Sequence, residues 1–198
     1  HKIEDFEFIS GVFETCRYLQ HLDYQIIIIT NQSGIGRGHF TEIDYQKITK
    51  WMLNQFNDND ISILDVIHCP HLPNDFCNCR KPKPGMILEA AERFNIDLSQ
   101  SFMVGDSERD AGAGRAAGVT TIGVMTGHGV KKAEVLPEYF VANLPEAIDL
   151  ILGDQLQHDV NTVKQLLPKK EKLVVSIGGN SRSGKSTLAS ALSQSLVK

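Results

Sequence analysis

Residues 24–38, YQIIIITNQSGIGRG, run from four consecutive isoleucines into a polar, glycine-rich segment. An unbroken apolar run of this length predicts a strand that is buried on both faces, as in a parallel sheet. The strand ends in Thr30 and Asn31, so it would bring a hydroxyl and an amide to the edge of that sheet. This segment therefore predicts both the kind of sheet and the edge at which a site would lie.

Strand and helix patterns alternate around this segment. Residues 10–22 have helical spacing, and Thr41 with Asp44 forms a capping box that begins a second helix. A further helix should begin near Pro84. We expect its buried side to consist of Ile87, Ala90, Ala91 and Phe94. The remaining predicted strands are LDVIHC, SFMVGD, VTTIGVMTG and YFVANL, and the remaining predicted helices are ERDAGAGRAAG and residues 145–152.

The alternation also indicates the fold class and the domain limits. Strands that alternate with helices predict right-handed crossovers and an α/β fold with a doubly wound parallel sheet. We assign this domain to residues 1–152. Residues 153–172 are polar and end in a charge cluster, which is typical of a linker. A new strand, LVVSI, follows it and begins a second domain at residues 173–198.

Composition and charge exclude several classes of protein. The formal charge of −4 over 198 residues argues against broad nucleic-acid binding, which needs a basic surface. The longest apolar run, Ile26 to Ile29, is too short to cross a bilayer. Three of the four cysteines cluster instead of spreading through the chain as a disulfide framework would, so we expect a reducing, cytoplasmic location. The chain starts HKIEDFEF, without methionine, and we expect it to be truncated.

The clustered cysteines lie in CPHLPNDFCNCRKPKPGM, residues 69–86. The pattern C-x-H-x5-C-x-C offers three thiolates and one imidazole, the number and kind of ligands that Zn²⁺ takes in a closed structural site. The alternative is a chance grouping of buried thiols beside a surface histidine. We favour zinc because the short spacings bring ligand pairs together locally, and Pro73, Asn74 and Asp75 suit a tight reversal between them. The predicted ligands are Cys69, His71, Cys77 and Cys79.

A second group of polar residues is predicted at the edge of the sheet. Thr30 and Asn31 end one strand and Asp106 ends another, and ligands of open parallel sheets lie beyond such strand ends. Arg80 and Lys81 could be delivered there by the cysteine-rich loop. A carboxylate, cations and hydroxyl donors together describe a site for phosphate and a divalent cation. Taken singly, Asp106 could be a helix cap, Thr30 a strand former and the two basic residues a solvated charge run.

The second domain carries a phosphate-binding pattern of its own. GGNSRSGKST follows the strand LVVSI and precedes the helix-like TLASALSQSL, which is the context of a P-loop. Its backbone N–H groups would cradle phosphates, its lysine would reach them and its serine would hold Mg²⁺, so ATP is a possible ligand. The alternative is a flexible glycine-serine linker. The residues concerned are Gly179, Gly184, Lys185, Ser186 and Thr187.

Three segments, in this order and spacing, resemble phosphatases of the haloacid-dehalogenase type. They are TNQSGIGRG, CPHLPNDFCNCRKPKPGM and MVGDSERDAGAGRAAG, and the resemblance covers about residues 1–150. It is closest to the members that act on a heptose 1,7-bisphosphate. The resemblance implies a Mg²⁺-dependent hydrolase that removes the 7-phosphate of this sugar in nucleotide-heptose synthesis. The last part of the chain is similar to the start of a nucleoside-kinase-like P-loop domain, so the protein could be bifunctional.

The resemblance also implies roles for individual residues. Thr30 would contact the transferring phosphoryl group, Lys81 would neutralise charge there and Asp106 would ligate Mg²⁺. Asp110 would support the magnesium site without contacting the ion itself. The residues implied at the substrate are Asn31, Gln32, Ser33, Arg80 and Ser107.

One part of the family pattern is not found. In these phosphatases an aspartate attacks phosphorus, and a second aspartate two residues later acts as general acid and base. They lie in a D-x-D segment at the end of the first strand, and no D-x-D-G occurs in these 198 residues. We therefore expect the chain as given to bind metal and phosphate but to hydrolyse very little.

Three other functions remain open from the sequence. A histidinol-phosphate phosphatase has a similar cysteine loop, although TNQSGIGRG and KPKPGM fit the heptose enzymes better. A phosphatase-kinase for polynucleotide ends would explain the domain order, but the cysteine cluster and the negative charge count against it. A non-catalytic binding fragment would explain two incomplete sites. Nothing in the sequence decides the oligomeric state, for which a monomer is our expectation.

Overall fold

The computed structural model describes residues 3–127 and 135–153. The helices are α1 (Val12–His21), α2 (Ser33–Gly36), α3 (Glu42–Asn57), α4 (Gly85–Phe94), α5 (Glu108–Ala117) and α6 (144–153). The strands are β1 (Ile26–Asn31), β2 (Ile63–Cys69), β3 (Phe102–Gly105), β4 (Thr120–Val124) and β5 (Tyr139–Val141). The predicted alternation of strands and helices is confirmed through residue 153.

All strand pairs in the described ranges are parallel, but they form two sheets. Strand β1 pairs with β2, while β4 pairs with both β3 and β5. The predicted α/β class with parallel strands is confirmed, and within the described ranges these strands are divided between two sheets. A sheet continues only where strands lie side by side at about 4.8 Å. In residues 3–127 and 135–153 no strand joins β1 to β3, so each of them is the edge strand of its own sheet.

The isoleucine run of β1 packs on both faces. Ile27 and Ile29 lie against a core cluster that contains Met86 of α4, whereas Ile26 and Ile28 lie against a second cluster that contains Phe56 of α3. Successive strand residues point to opposite faces, so helices on both sides explain why every position is apolar. The predicted packing of β1 on both faces is confirmed, although each of its residues is only half-buried. An edge strand leaves part of its surface uncovered.

The helix ends follow local sequence signals. Thr41 and Asp44 form the predicted capping box at the start of α3, and Gly118 ends α5 in the left-handed conformation. The predicted inner face of α4 is confirmed: Ala90 is buried, and Ile87, Ala91 and Phe94 are half-buried between exposed positions. Met86, which is also buried, was not predicted. Within the glycine-rich segment after β1, residues 33–36 form the short helix α2.

The chain divides into two units, of which the first spans His1–Ala147 and contains every residue of the candidate site below. Within the described ranges, no helix has the length and apolar character needed to cross a membrane. The predicted linker from residue 154 onward, the second domain and the P-loop residues Gly179, Gly184, Lys185, Ser186 and Thr187 lie outside the described residues.

Candidate active site and metal-ligand cluster

Lys81 lies between the carboxyl ends of β1 and β3. Its Nζ donates a hydrogen bond to the backbone carbonyl of Ile29 in β1 at 2.9 Å, and it forms an ion pair with Asp110 Oδ1 of α5 at 2.6 Å. The two side chains are only 12% and 9% exposed. The interpretation of Lys81 as part of a solvated charge run is therefore wrong. One buried cation connects the ends of the two sheets.

Asn31 holds the backbone of Lys81 in place. Its Nδ2 donates to the carbonyl of Lys81 at 3.1 Å, and its Oδ1 accepts from the N–H of Lys81 at 3.0 Å. Both functions of the amide are thus used by one residue that is fifty positions away in the chain. The resemblance implied that Asn31 lines a substrate pocket, and no local pattern indicated this positioning contact. Asn31 therefore brings the cysteine-rich loop to the end of β1.

Asp110 is buried and its two carboxylate oxygens serve different partners. Oδ1 pairs with Lys81, while Oδ2 accepts from the N–H of Ser107 at 3.1 Å and from its hydroxyl at 2.6 Å. Ser107 and Asp110 form a capping box at the start of α5. A side chain at Gly105 would overlap the Asp110 carboxylate, so the last residue of β3 has to be glycine for this arrangement.

Asp106 lies at the predicted strand end, directly after β3. The cap of α5 is Ser107, so the alternative that Asp106 is the helix cap is wrong. The backbone of Gly127 approaches Asp106 so closely that a side chain there would overlap the Asp106 carboxylate. Gly127 has a φ of 125°, a conformation that favours glycine. Sequence reasoning did not identify Gly127, although its GVMTG context marks a turn after β4.

Thr30 and the residues after it form the β1 side of the site. The Thr30 hydroxyl accepts from Gln32 Nε2 at 3.1 Å, and the N–H of Gln32 donates to the carbonyl of Cys69 at 2.7 Å. Ser33 begins α2. These contacts fix the chain after β1 against the end of β2. Thr30 directly follows Ile29, whose carbonyl binds Lys81, so the hydroxyl and the ammonium are presented at the same strand end.

The four predicted zinc ligands lie together. One ligand atom from each of Cys69, His71, Cys77 and Cys79 falls within 4.8 Å of all the others. Cys69 Sγ is 3.6 Å from both His71 Nδ1 and Cys77 Sγ, and His71 Nδ1 is 3.3 Å from Cys79 Sγ. Zn–S bonds of 2.3 Å in a tetrahedron separate two sulfurs by about 3.8 Å. The spacing thus fits a tetrahedral metal, and Pro73–Asp75 makes the predicted reversal as a 3-10 turn.

The protonation of the thiols depends on their neighbours. Burial, together with the adjacent Cys69 and Cys77 sulfurs, raises the pKa of Cys79 to about 12. Burial acts in the same direction at Cys77, but hydrogen bonds from the backbone of Arg80 and from the neighbouring cysteines lower the pKa of its thiol. Three thiolates this close repel one another. A divalent cation would remove that repulsion, so the chemistry of these donors also fits a metal.

Two side chains outside the site have simple structural explanations. Cys16 lies in the core cluster beside Phe56, and burial raises the pKa of its thiol to about 11. His68 follows the buried Ile67 on the opposite face of β2, where its Nε2 contacts Glu42 and its ring lies against that of Tyr45. Sequence reasoning assigned no partner to His68.

The fold and the site together define a hydrolase of the HAD-like class. The HAD-hydrolase-like family model matches residues 78–147. The crystal structure of D,D-heptose 1.7-bisphosphate phosphatase from B. bronchiseptica, complexed with magnesium and phosphate, superposes with a TM-score of 0.72 at 30% identity, and the alignment covers 77% of this chain and 88% of that one.

Relatives of known name identify the family more closely. D-glycero-alpha-D-manno-heptose-1,7-bisphosphate 7-phosphatase of Photorhabdus laumondii is 44% identical over 136 residues, which is 65% of this chain and 74% of that protein. D-glycero-beta-D-manno-heptose-1,7-bisphosphate 7-phosphatase of Escherichia coli K12 is 39% identical over 160 residues, covering 75% and 84%. The chain belongs to this family of heptose-bisphosphate phosphatases, and the resemblance stated from the three sequence segments is confirmed.

Proposed function

We propose that this protein is a phosphoric monoester hydrolase that removes the 7-phosphate of D-glycero-D-manno-heptose 1,7-bisphosphate. The observation that carries the proposal is the position of Lys81, a buried ammonium fixed between the ends of β1 and β3. Phosphate esters are bound at this edge of parallel α/β sheets. The identity to the curated heptose-bisphosphate phosphatases supports the choice of sugar. These relatives include enzymes named for the alpha and for the beta anomer.

Lys81 and Thr30 supply the electrostatic part of the reaction. Phosphoryl transfer concentrates negative charge on the equatorial oxygens and on the attacking and leaving oxygens, so fixed positive charge and N–H or O–H donors lower its barrier. The Lys81 ammonium is held by Asp110 and by the Ile29 carbonyl, and it therefore needs no reorganisation during the reaction. The Thr30 hydroxyl can donate to a phosphoryl oxygen while it accepts from Gln32.

Asp106 is the residue that we assign to Mg²⁺. A magnesium ion in proteins is held through one or two carboxylates together with substrate phosphate and water, and Asp106 lies at the required strand end. When bound, this ion supplies positive charge that stabilises the phosphoryl oxygens. The nucleophile and the general acid of this chemistry are the two aspartates of an Asp-x-Asp-Gly segment at the end of the family's first strand, and no Asp-x-Asp-Gly occurs in the 198 residues.

The cysteine cluster is assigned to structural Zn²⁺. Four protein ligands complete a tetrahedron and leave no position for water, so this metal would not take part in hydrolysis. Its function would be to fix the loop that continues directly from Cys79 into Arg80 and Lys81. Arg80, together with Gln32, Ser33 and Ser107, is assigned to the substrate. One of the Arg80 donors binds the carbonyl of His71 at 3.1 Å, and a guanidinium has several others.

The proposed function is tested by phosphate release. The 198-residue chain is compared with an extended protein, made by adding an N-terminal strand that carries the Asp-x-Asp segment characteristic of these phosphatases. The substrates are heptose 1,7-bisphosphate, histidinol phosphate and a 3′-phosphorylated oligonucleotide. We expect the extended protein to hydrolyse the heptose compound with a kcat/KM at least roughly 100-fold above that for the other two. Equal inactivity on all three would favour a non-catalytic binding protein.

A nucleotide-binding function is proposed for residues 173–198 from their sequence. The order strand, GGNSRSGKST and helix supports a P-loop in which Lys185 and Ser186 bind ATP and Mg²⁺. We expect a fluorescent ATP analogue to bind the protein and to be displaced by ATP. The variant Lys185→Ala should lose this binding, and unchanged binding by the variant would contradict the assignment. The reduced thiols support a cytoplasmic location, and a monomer remains our expectation.

A further inference from the structure

Two basic side chains of the sequence RKPK, residues 80–83, bind the metal-ligand loop rather than the strand ends. Lys83 Nζ donates to the carbonyl of Cys77 at 2.7 Å and to that of Phe76 at 3.2 Å. Arg80 Nη1 donates to the carbonyl of His71. In both cases a cationic group binds the backbone carbonyl of a residue whose side chain belongs to the metal-ligand cluster. Only Lys81, between them, points to the strand ends.

The segment that Lys83 binds has little packing to fix it. Phe76 adopts a left-handed backbone conformation with a φ of 50°, and its residue surface is 85% exposed. A bulky residue keeps this conformation only where its surroundings impose it. The aromatic ring contributes little, because most of it is in solvent. Hydrogen bonds to the backbone must therefore hold the segment.

Three successive carbonyls of this segment are bound by residues 83 and 85. Lys83 Nζ donates to the carbonyls of Phe76 and Cys77, and the N–H of Gly85 donates to the carbonyl of Asn78 at 3.2 Å. A side chain at Gly85 would overlap the Asn78 carbonyl, so the start of α4 lies directly against the loop. The N–H of Lys83 also donates to the carbonyl of Arg80 at 2.9 Å, which closes the turn that carries Lys81.

The positive charge of Lys83 should stabilise the metal-ligand cluster, as its hydrogen bonds to the loop do. Three thiolates and a neutral imidazole around a divalent cation have a net charge of −1, and an ammonium beside this group stabilises it. Groups that bind the residues of a metal site from outside orient its ligands, and removing them reduces metal affinity by roughly 10–100-fold. A charged donor also forms the stronger kind of hydrogen bond.

Building on the zinc centre of the proposed function, we infer that Lys83 is a positioning residue of that centre. Its ammonium fixes the two peptide groups that flank Cys77 and so holds the Cys77 sulfur at ligand distance. Through the turn that it closes with Arg80, the same residue connects the metal loop to the segment that presents Lys81. Lys83 thus retains the metal without contacting it.

The test compares Lys83→Met with Lys50→Met in the zinc-loaded protein. Lys50 is exposed on α3 and has the same charge, so it is a matched control. We expect Lys83→Met to release zinc to a chromogenic chelator roughly tenfold faster than wild type, whereas Lys50→Met should not differ from it. In the cobalt-substituted protein the ligand-field bands should shift for Lys83→Met alone. The conservative variant Lys83→Arg, which retains a charged donor, should recover most of the wild-type retention.

Two further readouts separate a positioning role of Lys83 from a long-range charge effect and from a general effect on fold stability. The release rates are repeated at about 0.05 M and about 0.5 M salt, where a long-range charge effect would be screened and a direct contact would not. The thermal unfolding of chelator-treated Lys83→Met should equal that of chelator-treated wild type, because an exposed lysine adds little to the metal-free fold. A difference that vanishes at high salt, or unchanged release by Lys83→Met, overturns the inference. A wild-type protein that binds no zinc overturns the metal centre as well.

Discussion

Lys81→Met should lower the kcat/KM of the extended protein for heptose 1,7-bisphosphate by at least about 100-fold and should also destabilise the fold. The loss of activity follows from the removal of a fixed cation at the charge that develops on the phosphoryl group. The loss of stability follows from Asp110, a buried carboxylate that keeps its bonds from Ser107 but loses its counter-ion. Removing one partner of a buried pair costs about 3–5 kcal/mol.

A second substitution separates these two effects. In Lys81→Met/Asp110→Asn the uncompensated charge is gone, and the amide oxygen of asparagine can still accept from Ser107. We therefore expect urea unfolding to show that most of the lost stability returns, while phosphate release remains as low as in the single variant. Recovery of activity together with stability would mean that Lys81 acts through the fold alone. Lys50→Met is the control for loss of a lysine, and neither property should change in it.

The positions of the strands were predictable because burial leaves a strong periodic signal. The four isoleucines of β1 alternate between two core clusters, one beneath α4 and one beneath α1 and α3, and this two-sided packing is what an unbroken apolar run predicts. The burial of Met86 in the first turn of α4 was not predicted. Its first turn starts where Gly85 meets the carbonyl of Asn78, a contact that depends on the folded cysteine loop.

The ligand cluster was predictable from spacing, whereas the support of Lys81 was not. Side chains two residues apart share a face in extended backbone, so C-x-H and C-x-C each form a ligand pair without help from distant parts of the chain. The bonds from Asn31 to the backbone of Lys81 join residues fifty positions apart. Nothing in the local sequence distinguishes an asparagine that binds substrate from one that binds a loop. The need for glycine at position 105 likewise arises only when Asp110 folds against it.

Cys79→Ser should reduce zinc affinity by several hundred-fold. Structural zinc sites with four ligands bind with about 10–16 kcal/mol, so the loss of one thiolate removes about 3–4 kcal/mol, which corresponds to several hundred-fold in the dissociation constant. Zinc content is measured after dialysis against a weak chelator. The matched control is Cys16→Ser, which makes the same chemical change at a buried cysteine of the α1 and α3 core cluster. It should retain full zinc content, and equal retention by Cys79→Ser would contradict the assignment of Cys79 as a ligand.

The consequence for activity distinguishes a structural metal from a catalytic one. A closed site acts only through the loop that it fixes, and this loop leads directly into Arg80 and Lys81, whose ammonium must reach both Ile29 and Asp110. Strong chelation should therefore lower the melting temperature and the phosphate release of the extended wild-type protein together, even with saturating Mg²⁺. Chelation should change neither property in Cys79→Ser, which has already lost the metal. Cobalt should restore the activity of the chelated protein as well as zinc does, because only tetrahedral geometry is needed. A recovery that differed strongly between the two metals would indicate that the ion takes part in the chemistry.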